Sequence, residues 1–80
     1  MSEIEKIIRE EIGKITEKDG FKISKSANLI TEIGLDSLNV LEMFDLIEEK
    51  FNIIIAPEKF FEMKTIEDVV KIIEDAKNNQ

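Results

Sequence analysis

Residues 36–51, DSLNVLEMFDLIEEKF, decide the fold class. Val40, Met43, Phe44, Ile47 and Phe51 fall at i, i+3, i+4, i+7 and i+11, which is the buried face of an α-helix. Asp36 stands before the pattern as an N-cap, so a helix is predicted from there to about Lys50. A second stripe, Leu38, Leu41, Asp45, Glu48 and Asn52, has similar spacing and is half apolar, half acidic. It reads either as a wide core edge or as a docking face.

The flanking sequence is helical too. Ser2 with Glu5 fits a capping box, and Ile4, Ile7, Ile8, Ile12 and Ile15 follow at helical spacing. A first helix is predicted over about residues 3–18, isoleucine on one face and Glu, Lys and Arg on the other, stopped by Asp19-Gly20. Residues 21–35 have no period. Phe21, Ile23, Leu29, Ile30, Ile33 and Leu35 are scattered among Ser, Asn, Thr and Gly. A connection longer than about 12–15 residues is uncommon, and its apolar content predicts that it packs across the other elements. Residues 52–56 hold three isoleucines but have no partner strand. Pro57 opens a short helix to about Met63, with Phe60 and Phe61 expected to plug one end of the bundle. Thr65 and Asp68 make another capping box, and Ile66, Val69, Val70, Ile73 and Ala76 carry a last amphipathic helix. The tail Asn78-Asn79-Gln80 is expected to fray. The prediction is a single all-α domain over 1–80: an antiparallel four-helix bundle of three long helices and one short one, with a long loop between helices 1 and 2.

Composition narrows the chemistry. In 80 residues, 42% are hydrophobic and 36% charged, which suits a small globule rather than a disordered tail. Eighteen acids against 11 bases give net charge −7, the wrong sign for sequence-independent nucleic-acid binding and the right one for a basic protein surface. There is no cysteine and no histidine. The chain therefore has no thiolate, no disulfide and neither of the commonest general base and metal ligand, and no metal site is expected. The longest apolar run, Ile53-Ile54-Ile55-Ala56, is far short of a membrane span. The N-terminus reads as a polar helix start rather than a signal peptide, so a cytoplasmic protein is expected, and separately a monomer.

The chemically informative segment is Gly34-Leu35-Asp36-Ser37-Leu38. It sets a serine in the first turn of a helix, after a glycine-bearing loop. Free N–H groups and the positive dipole end favour an anion there, so a phosphate ester on Ser37 is well placed. On composition alone, ordinary capping is the stronger reading of Asp-Ser before a helix. Ser37 is no triad nucleophile, because no histidine exists to activate it. If it has a function, Ser37 is an acceptor whose chemistry another protein performs.

Gly34-Leu35-Asp36-Ser37-Leu38 resembles the phosphopantetheine attachment motif of acyl carrier proteins. The resemblance spans nearly the whole chain. It takes in the length, the acidity, the long first loop, the segment Glu48-Glu49-Lys50-Phe51, the proline-led short helix and the run Thr65-Ile66-Glu67-Asp68-Val69-Val70. It implies that Ser37 carries 4′-phosphopantetheine, added from coenzyme A by a separate phosphopantetheinyl transferase with magnesium. Asp36 then matches the motif acid that helps hold the transferase's metal. The arm's thiol holds an acyl group as a thioester, so the chain is a shuttle and not an enzyme. The implied partners are acyl-transferring, condensing or activating enzymes of fatty acid, lipid or polyketide biosynthesis.

Charge supports a docking face. Residues 36–50 hold five acids against one lysine, over half the net charge in under a fifth of the chain. A basic patch on a partner would relieve that repulsion and speed encounter. Leu38, Leu41, Glu42, Asp45, Glu48 and Glu49 are the docking candidates. Glu42 and Glu48 match docking positions of the family, whereas Asp45 lies where the family often has an apolar residue. Asn39 and Asn52 stand where fatty-acid carriers often have aspartate, Lys50 replaces a common glutamate and Ile54 a common acid. These departures suggest a specialised cargo, such as a polyketide, a modified lipid, or an aminoacyl or D-alanyl group. Val40, Met43, Phe44, Ile47, Ile55, Phe60 and Ile73 are candidates to line an acyl pocket between helices two and three, a filled core being expected in the unloaded protein. The alternative outside the carriers is an acidic helical adaptor without a prosthetic group.

Overall fold

The computed structural model describes residues 1–79. Three helices form, α1 (Glu3–Thr16), α2 (Ser37–Phe51) and α3 (Ile66–Asn78), with 3₁₀ segments at Gly20–Lys22 and Pro57–Glu62. No strand forms among the described residues. Gln80, the last residue of the expected frayed tail, lies outside them, and α3 itself runs on through Asn78.

Local chemistry sets the ends of each helix. The Ser2 hydroxyl accepts from Glu5 N at 3.1 Å at the head of α1. Glu5 does not complete the expected box; its carboxylate pairs with Arg9 instead, at 3.0 Å. α1 stops at Thr16, with Glu17 left-handed at φ 59°, before the predicted stop at Asp19-Gly20. Asp19 caps the 3₁₀ turn by accepting from Phe21 N at 2.9 Å. Thr65 and Asp68 make the expected reciprocal box on α3.

The core draws on every part of the chain. Ile8 and Ile12 of α1, Val40, Met43, Phe44 and Ile47 of α2, and Ile66, Val69 and Ile73 of α3 are buried together. The long connection is stitched down by its backbone: Leu29 N donates to Lys64 O at 2.8 Å, and Glu67 N to Lys25 O at 3.1 Å. Its anchors are Leu29 and Leu35, both buried, with Ile23 and Ile33 half-buried against the core, whereas Phe21 and Ile30 are exposed and do not anchor it. Residues 53–55 alternate, with Ile53 and Ile55 buried and Ile54 84% exposed. Phe60 packs against the core, but Phe61 is 75% exposed and does not plug the bundle.

The polar face expected of α1 is broken by two buried ions, Arg9 and Glu11. Arg9 Nη1 donates to Gly20 O at 2.9 Å and to Ile23 O at 2.6 Å, closing the chain back onto α1. Gly20 is required there, since a Cβ would sit 1.9 Å from Arg9 O. Glu11 accepts from Lys14 at 3.4 Å and pairs with Lys50 at 3.2 Å, which ties α1 to the end of α2.

Candidate functional site at the start of α2

The site begins with a change of backbone direction. Gly34 holds φ 99°, a conformation that side chains with a Cβ rarely adopt, with nothing within 4 Å of a built Cβ. Leu35 then buries, and its N–H donates to Leu29 O at 2.9 Å. This fixes the approach to α2. Asp36 is the N-cap: its Oδ1 accepts from Asn39 N at 2.7 Å, and Asn39 Oδ1 accepts from Asp36 N at 3.2 Å. The reciprocal pair makes a capping box with Asn39 in the third position.

Capping is therefore done by Asp36 and Asn39, and Ser37 is left out of it. Ser37 is the first residue of α2 and is exposed. Among the described residues its Oγ holds no hydrogen bond to protein. An exposed hydroxyl with no structural duty is what an acceptor of an ester needs. Beside it opens a cleft of about 370 Å³, within the usual range for ligand sites. Val40, Phe60, Phe61 and Met63 give that cleft an apolar wall. The serine and the cleft together fit a phosphate ester that carries a long, partly apolar arm.

The second stripe of α2 resolves into exposed and engaged parts. Leu38 is 61% and Leu41 46% exposed, so they are no core edge. Glu42, Asp45 and Glu49 are exposed beside them. Glu48 is half-buried, and its Oε2 accepts from Ile55 N at 2.9 Å, which holds the Ile53–Ile55 segment against α2. Asn52 is the left-handed C-cap of α2 at φ 52°, a conformation asparagine tolerates well. Local backbone geometry thus accounts for both Asn39 and Asn52.

The acyl-pocket candidates separate in the same way. Val40 and Phe60 line the cleft beside Ser37. Met43, Phe44, Ile47 and Ile73 lie in the buried core instead, and Ile55, also buried, lines a separate cavity of about 340 Å³ with Ile54, Ala56 and Ile72. Phe44 meets Phe60 edge-on at 6.3 Å, and Phe60 meets Phe61 at 5.4 Å, so the aromatic contacts run from the core to the cleft. Ile30, Phe61, Met63 and Lys64 also line the cleft, and the sequence offered none of the four as a site residue, Ile30 being read as part of the loop packing and Phe61 as a plug. Their only signal was proximity in the fold. No group of three or more acidic residues is placed to hold a metal ion among the described residues. Nor is any helix among them long and apolar enough to cross a membrane.

Residues 6–73 match the family model for a phosphopantetheine attachment site, and the chain belongs to that family of carrier proteins. Its relatives include acyl carrier proteins. One from Helicobacter pylori (strain J99) is 41% identical over 59 residues, covering 74% of this chain and 76% of that protein. One from Helicobacter acinonychis is 39% identical over 59 residues, with the same coverage. One from Wolinella succinogenes is 38% identical over 56 residues, covering 70% of this chain and 74% of that protein. The protein is thus a carrier rather than an enzyme, its prosthetic group is covalent 4′-phosphopantetheine, and the adaptor reading falls away.

Proposed function

We propose that Ser37 carries the 4′-phosphopantetheine arm and that the protein presents acyl thioesters to enzymes of fatty acid, lipid or polyketide biosynthesis. The observation that supports this best is the division of labour at the head of α2. Asp36 caps the helix, and the adjacent Ser37 hydroxyl stays exposed and unbonded. In the loading reaction Ser37 Oγ bonds to the β-phosphorus of coenzyme A. The bond from that phosphorus to its bridging oxygen breaks, and adenosine 3′,5′-bisphosphate leaves. The hydroxyl proton goes to a base of the transferase, since this chain has no histidine. The arm supplies the thiol that a chain without cysteine lacks.

Docking falls to the exposed stripe Leu38, Leu41, Glu42, Asp45 and Glu49, with Asp36 at its head. The leucines give an apolar centre and the acids steer a basic partner. Glu48 contributes less directly, since one of its oxygens serves Ile55. The test is intact mass after incubation with coenzyme A, magnesium and a broad-specificity phosphopantetheinyl transferase. One phosphopantetheinyl increment is expected on the wild type and none on Ser37→Ala. An increment on the variant would place the arm elsewhere.

A further inference from the structure

The cleft beside Ser37 contains a cation that the fold does not use. Lys64 follows the 3₁₀ segment that closes the cleft, and its backbone is held on both sides: Lys64 N donates to Glu62 O at 3.0 Å, and Lys64 O accepts from Leu29 N at 2.8 Å. Its side chain lines the cleft and is exposed. Among the described residues it makes no ion pair, whereas nearby Lys59 is taken by Glu62 at 3.4 Å.

A phosphodiester on Ser37 adds negative charge beside Asp36 in a chain already at −7. The start of α2 only partly compensates, because Asp36 accepts from Asn39 N through its side chain and from Val40 N through its carbonyl. A charge-assisted contact from an ammonium is the natural complement. Beyond the phosphate the cleft wall is apolar, with Ile30, Phe61 and Met63 on it. That wall suits the dimethyl-bearing part of the arm.

We propose that Lys64 is the counter-ion of the phosphodiester on Ser37, and that the arm rests along the Ile30, Phe61 and Met63 wall of this cleft. This rests on Ser37 being the attachment residue. The role of Lys64 is positional: it holds the root of the arm, and it aims the thioester along the surface of the cleft.

The experiment loads wild type, Ser37→Ala, Lys64→Gln, Lys64→Arg and Phe61→Ala with the broad-specificity transferase and weighs each product first. No increment on wild type, or one on Ser37→Ala, defeats the attachment reading before the lysine is addressed. The ³¹P resonance of each loaded protein is then compared with that of the same protein in urea. Wild type and Lys64→Arg are expected to show a displaced resonance that salt reduces, and Lys64→Gln to lose the displacement. Phe61→Ala should keep it, while the amide shifts that loading causes at Ile30 and Met63 shrink. Lys64 is exposed, so Lys64→Gln should fold, and its circular dichroism checks that. An equal displacement in wild type and Lys64→Gln would overturn the proposal, as would loading shifts confined to residues 36–39.

Discussion

Gly20→Ala should cost this protein a large part of its stability, although it adds one methyl group. The added Cβ would sit 1.9 Å from Arg9 O and 2.8 Å from Arg9 C, both backbone atoms of α1. Ordinary contact begins near 3.4 Å, so the turn must retreat by roughly 1.5 Å. A retreat of that size breaks the hydrogen bonds from Arg9 to Gly20 O and Ile23 O, which stand at 2.9 and 2.6 Å. Hydrogen bonds to a charged group contribute about 1.5–3 kcal/mol each, so the loss is about 3 kcal/mol or more. A domain of this length holds only roughly 4–12 kcal/mol in all. At about 4–8 °C per kcal/mol, Tm falls by roughly 12–24 °C. Thermal and urea unfolding followed by circular dichroism reads this directly. Arg9→Met removes the same two bonds, so the double variant should lose clearly less than the sum of the singles. A Gly20→Ala protein within about 1 kcal/mol of wild type, or strict additivity, would refute the clasp.

Four further outcomes are expected. Gly34→Ala should cost about 1–2 kcal/mol through backbone strain alone, since φ is 99° and the space around it is open; urea unfolding measures it. Asp36→Ala should lose about 1 kcal/mol with the cap, whereas Ser37→Ala should leave stability unchanged, because the capping bonds are made by the side chains of Asp36 and Asn39 and none by Ser37. Glu48→Gln should unfold like wild type and Glu48→Ala about 1 kcal/mol earlier, since Gln keeps an acceptor for Ile55 N. Charge reversal at the exposed Asp45, to Lys, should lower the kcat/KM of loading by about tenfold at low salt with Tm held, and added salt should narrow the gap.

The helices were legible because their signals are local. The stripe of Val40, Met43, Phe44 and Ile47 is a core face in the fold as in the sequence. Asp36 and Thr65 cap as their types predict. What escaped was long-range. Arg9 looked like one more solvated charge on α1, because the carbonyls it serves lie 11 and 14 residues away. The glycine inside the first helical pattern, Gly13, is likewise explained only by distant chain, since a Cβ there would stand 3.0 Å from Lys18 O, where the chain turns back. Glu48 and Asn52 read as surface positions because their duties depend on the path of residues 52–55. At the site, Ser37 was visible from its motif. Phe61, Met63 and Lys64 were not, since only the packing of the 3₁₀ segment beside α2 brings them to the serine.

The exposed apolar residues bear on function for a physical reason. Burying a leucine or isoleucine side chain contributes about 1.5–3 kcal/mol, which Leu38, Leu41, Ile54 and Phe61 largely forgo. One exposed hydrophobe needs no explanation. The placement of these is more telling. Leu38 and Leu41 flank the acids of α2, Phe61 lines the cleft beside Ser37, and Ile54 stands out from a segment whose neighbours are both buried. A polar residue at any of the four would be compatible with the fold, because none of them lies in the core. Stability therefore does not by itself require them to be apolar, and contact with a partner or with the arm, as proposed above, would account for it. Replacing Leu38 and Leu41 by Gln should accordingly leave the unfolding midpoint in place while slowing transferase loading. A parallel fall in midpoint and loading would return both leucines to the core and remove the docking face.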